Sequence, residues 1–171
     1  ANPGKMVMEK MISGQYQGTL IYITVQLAAK NGLFSPAFCG QLEKTSGFTM
    51  YDIDQFCFHP YGKNLLAGLC DGNGVDARTL YAIIDASFER AAILTAINMG
   101  AILVRTGAGK DPTRPVCVTA EGTTFYKSKL FKSKLDYHVR TFLGEQLDVY
   151  LEFQKVEDAT LLGSAVAGLL N

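Results

Sequence analysis

Apolar side chains first fall into a helical rhythm at Lys5, where Met8, Met11 and Ile12 stand at i, i+3 and i+4. The same stripe continues through Leu20-Ile21, Ile23-Thr24-Val25 and Leu27-Ala28-Ala29, so the spacing predicts one long amphipathic helix over 5–31. Gly14 and Gly18 weaken its middle by about 1 kcal/mol each relative to alanine, and Asn31-Gly32 closes it. Asn2-Pro3 ahead of it reads as an extended or turn dipeptide. Ser35-Pro36, Gly40, Gly47, His59-Pro60 and Gly62 break the next stretch into short helices at 38–45, 51–56 and 62–70. After a loop at Gly72-Asn73-Gly74, Asp76 suits an N-cap. A second long helix follows over 77–106, apolar nearly all round, with Ala91, Ala92 and Ala96 permitting close packing; it reads as a central buried helix.

The period changes after Gly107-Ala108-Gly109-Lys110-Asp111-Pro112. Residues 115–121 (PVCVTAE) have the β-branched content of a buried strand. Gly122-Thr123 makes a turn, and Thr124–Lys127 reads as a short return strand. A helix follows over 131–143, with Phe131, Leu135, Val139 and Phe142 on one stripe. Leu147, Val149, Leu151 and Phe153 alternate with polar residues, predicting a strand over 147–156, and Leu161–Leu170 reads as a final small-residue helix. Strand, helix, strand is a crossover unit, so the two main strands should run parallel with a right-handed connection. The prediction is a single α/β domain over 1–171, helix-rich, with two or three strands.

Composition narrows the function. The 171 residues are 48% hydrophobic, enough for one substantial core. Sixteen basic and sixteen acidic side chains cancel, which argues against nucleic acid and acidic membranes as partners. No apolar stretch reaches about 18 residues without a charge. Cys39, Cys57, Cys70 and Cys117 lack CxxC spacing and read as thiols of a reducing cytosol. His59 two residues from Cys57 is a weak metal signal. GAGK at 107–110 lacks the spacing and the Ser or Thr of a phosphate loop, and it follows a helix, so it reads as a C-terminal cap.

Two turns have the shape for a nucleotide. Glu121-Gly122-Thr123-Thr124 stands at the C-terminal end of a strand, where open α/β sheets bind ligands. Asp158-Ala159-Thr160 starts the last helix, whose N–H groups and positive dipole end suit an anion or polar ring edge. At the other end of the chain, Glu9 lies at the edge of an apolar stripe beside Ser13-Gly14, where backbone can approach a ligand closely. Taken singly, each also fits a structural role: a solvated helix face, a β-turn, a capped helix.

Together they are more specific. NPGKMVMEKMISGQYQG resembles the segment NPG-x-x-x-x-EK-[ML]-I-[SG]-G-x-Y-x-G that opens the C-terminal half of the hexokinase family. VTAEGTTFYKSKLFKSKLDYHV is similar to the stretch of that family containing V-D-G-[ST]-x-Y, and EDATLLGSAVAGL to its E-D-[GA]-[ST]-x-x-G-[SA]-A. The resemblance spans nearly all of the chain but only the C-terminal part of a full catalytic unit, and the chain opens at Ala1 inside the first motif, as a piece of a longer protein would. It implies the C-terminal part of the large domain of the actin-like ATPase (ribonuclease H-like) fold. It also implies ATP-dependent phosphorylation of a hexose at its 6-hydroxyl, with Mg²⁺ accompanying ATP, in the service of glycolysis. By the same resemblance Glu9 is a sugar-hydroxyl ligand, Ser13 and Gly14 lie near the phosphates, and Gly122, Thr123, Thr160 and Gly163 belong to the adenosine pocket. Lys44–Asp54 resembles T-x-G-x-[FM]-x-T-x-x-x-S, which makes Thr49 a phosphate-side candidate.

The departures matter as much. Glu121 replaces the usual Asp, Gln15 an apolar or basic residue, and Asp54 falls about where the family has a phosphate-contacting serine. The wording DATLLGSA suggests a divergent, bacterial-looking branch. The family's catalytic aspartate, first phosphate loop and most sugar ligands precede the first motif, so no catalytic residue is assigned here and the chain alone is expected to be inactive. Asp52, Asp54, Asp71, Asp76, Asp85 and Asp136 read as caps or surface. The missing strands would leave a sheet edge open, and the chain is expected to self-associate through it. The alternative in another class is a non-catalytic sugar- or nucleotide-sensing relative. An unrelated helical binding module requires three motif matches to be accidents.

Overall fold

The computed structural model describes residues 3–156 and 158–170; Asn2 of the first motif and Glu157 of the last lie outside them. Helices α1 (Val7–Ile12) and α2 (Gly14–Lys30) replace the single helix expected over 5–31. Ser13, with φ −75° and ψ 143°, is extended and breaks the ladder. Close packing explains why two helix-weakening glycines follow. A Cβ on Gly18 would lie 2.2 Å from the carbonyl oxygen of Phe48, so the 45–49 segment crosses α2 at a distance that excludes any side chain. Tyr22 fixes the same crossing by donating its hydroxyl to the Thr45 carbonyl.

Short helices α3 (Pro36–Leu42), α4 (Met50–Phe58) and α5 (Leu65–Cys70) follow, each started by a side-chain cap from Ser35, Thr49 or Asn64. The long helix α6 (Gly74–Thr106) is capped by Asn73, not by Asp76. Asp76 is instead buried, accepting the backbone N–H of Ser35 at 2.9 Å and its hydroxyl at 2.6 Å. That bond ties the start of α6 to the start of α3. Gly107, left-handed at φ 71°, ends α6 as the C-cap reading of GAGK implies.

The core lies between α6 and its neighbours, with Ile21, Phe38, Ile53, Phe56, Phe88 and Leu135 all closed to solvent. Only one face of α6 contributes to it, so the expectation of a wholly buried helix is corrected. Ile97, Ile102 and Val104 are about half exposed on the opposite side. By length and composition α6 could cross a membrane; its Leu80, Ile84, Phe88 and Ala91 face the core instead.

Strands β1 (Val116–Thr119) and β2 (Leu151–Gln154) pair in parallel, Val116 opposite Leu151 and Thr119 opposite Gln154. Among the described residues they form the whole sheet. The expected return strand is a helix, α7 (Thr123–Lys127). Its Phe125 is buried against Phe153 of β2, ring centroids 5.0 Å apart, which a helical turn achieves and an outgoing strand would not. Helix α8 (Phe131–His138) runs into a π-helical segment, Val139–Gln146. The wider turn rotates the apolar stripe, so Leu143 is the fully buried residue while Val139 and Phe142 are only partly covered. Leu143 occupies space over Gly100 of α6, where a Cβ would come within 2.7 Å of it. Helix α9 (Ala159–Leu170) is the last element among the described residues.

Candidate functional site

Parallel pairing brings the C-terminal ends of β1 and β2 side by side, and the turns that leave them face each other. The Glu121 carboxylate spans the gap. One oxygen accepts the Thr160 backbone N–H at 3.1 Å, the other the Thr160 hydroxyl at 2.6 Å. These bonds hold the Glu121 carboxyl below its ordinary range, the hydroxyl contributing most. Around the pair opens a cleft of about 730 Å³, lined by Gly122, Thr123, Tyr126, Lys155, Thr160 and Ser164 among others. Gly122, at φ 103° and ψ 151°, occupies a backbone region open essentially to glycine alone. Tyr126 closes one wall by donating its hydroxyl to the Ala120 carbonyl at 2.8 Å. The Lys155 ammonium stands 5.5 Å from the centre of the Tyr126 ring. The cleft thus offers an aromatic surface, a cation and a glycine turn, while the first N–H groups of α9 are engaged by Glu121.

The start of the chain meets this region from below. A Cβ on Gly14 would lie 2.0 Å from the Thr124 hydroxyl and 3.1 Å from its Cβ. The first turn of α2 therefore sits directly against α7, one residue from Thr123. Ser13, at the break between α1 and α2, has its hydroxyl buried with no hydrogen-bond partner among the described residues. Glu9 projects from α1 and is exposed.

The family model for hexokinase matches residues 1–170. The chain belongs to the hexokinase family. It is 30% identical to human hexokinase-2 over 96% of its own length and 18% of that protein. It is 29% identical to hexokinase-5 of rice, covering 96% of the chain and 35% of the relative. Against hexokinase-4 of Arabidopsis thaliana the identity is 24%, over 96% of the chain and 36% of the relative. The chain thus spans between about a fifth and about a third of these relatives' length. They are animal and plant proteins and lend no support to a bacterial source.

Within this hexokinase segment, the remaining residues singled out from the sequence lie apart from the cleft. Thr49 caps α4: its hydroxyl accepts the Asp52 N–H at 3.2 Å, and its own N–H is bound by the Asp52 carboxylate at 2.9 Å. Asp54 lies on the same helix, half buried. It accepts the Lys129 N–H at 3.3 Å, and burial raises its pKa. Its carboxylate is thereby directed at the link between α7 and α8. Gly163 lies on the exposed surface of α9, with open space where a Cβ would be, and it does not line the cleft. Two cleft residues escaped sequence reasoning. Tyr126 reads as part of a strand, and Lys155 follows β2 at the position equivalent to Ala120 after β1. That parallel register was the signal for Lys155, since residues just past paired strand ends share one rim.

Proposed function

We propose that this chain is the C-terminal part of the large domain of a hexokinase of actin-like ATPase fold. In this reading the whole protein transfers a phosphoryl group from ATP to the 6-hydroxyl of a glucose-type hexose in the cytoplasm. The observation that carries it is the Glu121–Thr160 pair, which joins two turns far apart in sequence around one cleft, with Gly14 against the adjoining α7. Gly122, Thr123 and Thr160 hold the adenosine end, and Tyr126 and Lys155 supply the ring contact and the charge. Ser13 and Gly14 lie toward the phosphates. Glu9, open to solvent, accepts hydrogen bonds from sugar hydroxyls; a site built to bind a hydroxyl strongly rejects analogues lacking it.

Phosphoryl transfer also requires a base for the acceptor hydroxyl and a metal-bound triphosphate. Mg²⁺ enters with ATP as part of the substrate, and among the described residues no cluster of three His, Cys, Asp or Glu is assembled to hold it. The base and the first phosphate loop come from elsewhere in the protein, so the chain alone turns over nothing. The test is glucose-dependent ADP release. The full-length protein should show it and the isolated chain should not; turnover by the isolated chain, or none by the full-length protein, overturns the reading. The open strand edges support the further proposal that the isolated chain associates with itself, and a monomer on size-exclusion chromatography would count against that.

The same Glu121–Thr160 pair also favours a second reading, a sensor that binds sugar or nucleotide without catalysis. A carboxylate already bound to the first N–H groups of α9 leaves less of that helix end for an anion. Ligand binding with no ADP release by the full-length protein would select this reading.

A further inference from the structure

We infer that Gln17 is a positioning residue that sets the orientation of α1 and hence the place of Glu9. The inference rests on the reading of Glu9 as a sugar ligand. Helix α1 rests on α6 and on α2, but it is short, six residues with none of them buried, and has no side-chain cap at its start. Met6 before it sits in the left-handed region at φ 51°. Its last carbonyls have no intrahelical partner, as at any helix end. Among these, Glu9 O accepts the N–H of Ser13. Met11 O is taken by a side chain from beyond the break, the Gln17 amide Nε2, at 2.8 Å.

Gln17 is 1% exposed, and a buried primary amide is an unexpected choice for the inner face of α2. Its neighbours along that face, Ile21 and Val25, are apolar and fully buried. Its other end, Oε1, has no hydrogen-bond partner among the described residues. A leucine would fill such a place without an orphaned acceptor, so the amide costs stability that its donor end recovers only in part. What that donor does is cross the extended Ser13 and grip the strand-like junction from below, two residues from Glu9. Without it, α1 keeps its backbone bonds and its packing on α6, but the tie that fixes its last turn at Met11 is lost and its angle at Ser13 can change. The carboxylate that reads the sugar moves with that angle, whereas the cleft beyond Gly14 does not.

The test is Gln17→Met in the full-length protein, an exchange of similar volume that removes both the donor and the orphaned acceptor. Hexose KM should rise roughly fivefold, the worth of one buried hydrogen bond, with ATP KM unchanged and thermal stability unchanged or slightly raised. A merely structural glutamine would show the opposite pattern, a lower melting temperature with an unaltered KM ratio, and that result overturns the inference. Gln17→Leu provides the same readout should the methionine variant fail to fold. Glu9→Ala is the control. If it raises hexose KM while both Gln17 variants leave it alone, the positioning role is wrong and the sugar-ligand reading stands. If Glu9→Ala has no effect, both fall.

Discussion

The helical layer of α2, α4, α5, α6 and α8 and the strand-and-turn end of β1, β2, α7 and α9 differ in what holds them together. The first encloses Phe56, Phe88, Leu80 and Ile84 with no solvent exposure at all. In the second, the strands alternate half-buried and exposed residues, and every described side chain from Thr160 to Leu169 is exposed. Leu161 and Leu169 reach 69% and 87%. What secures α9 is mainly polar, the pair of bonds from Glu121. The helical layer therefore carries its own hydrophobic stabilisation, whereas the turn that starts α9 is shaped by hydrogen bonds and the helix leaves its apolar side chains exposed.

Substitutions should separate the two regions sharply. Phe88→Ala is expected to cost about 3–5 kcal/mol, the usual toll for emptying a buried aromatic site. Leu169→Ser should change stability by no more than about 0.5 kcal/mol. Denaturant unfolding of the isolated chain measures both, and similar values would mean that α9 is packed in solution. Next in size is Gly14→Ala. Its methyl group cannot coexist with the Thr124 hydroxyl 2.0 Å away, and overpacking of this kind costs about 1–3 kcal/mol. Adding Thr124→Ala should restore most of the loss; if it does not, the two segments are not in contact.

Acid should act on the strand-and-turn end through Glu121. The Glu121 carboxyl is held below its ordinary value of 4.5 by Thr160, so its contribution is complete above that value and is lost as pH falls through the lowered one. Amide exchange at 160–163, compared between wild type and Glu121→Gln, should show early loss of α9 protection confined to the wild type. A smaller effect than that of Gly14→Ala belongs to the clamp between α6 and α8, where Lys134 meets Asp85 and Glu89 at 2.9 Å each. Because these groups are partly exposed, Glu89→Gln should cost at most about 1 kcal/mol, less in high salt.

Local chemistry made much of this legible. Turn residues and apolar spacing place the short helices to within a few residues, mark Gly107 as a stop and identify both strands and their direction. The misreadings share a cause, which is that packing partners distant in sequence decided them. Ser13 breaks a good helical stripe because Gly14 must meet Thr124. Phe125 and Tyr126 have strand-like side chains, but Phe153 draws the first inward and the Ala120 carbonyl holds the second. The π-helical segment follows from how Leu143 seats over Gly100. At the site, family wording pointed to Gly122, Thr123 and Thr160, which the fold does gather. It also pointed to Thr49, whose side chain is committed to a helix cap, while Asp54, the departure at the family's serine position, binds a backbone N–H of the neighbouring segment. In the sequence a glutamine between Tyr16 and Gly18 looks like ordinary helix surface, and only its burial sets Gln17 apart.

The contact between Gly14 and Thr124 also orders events during synthesis. A ribosome delivers α2 long before it delivers α7, at roughly 5–20 residues per second. The glycine's bare flank must therefore wait, uncovered, for a partner still to be made. Until then the surface that Gly14 keeps bare has nothing to receive, and the use of a glycine there begins only when Thr124 arrives.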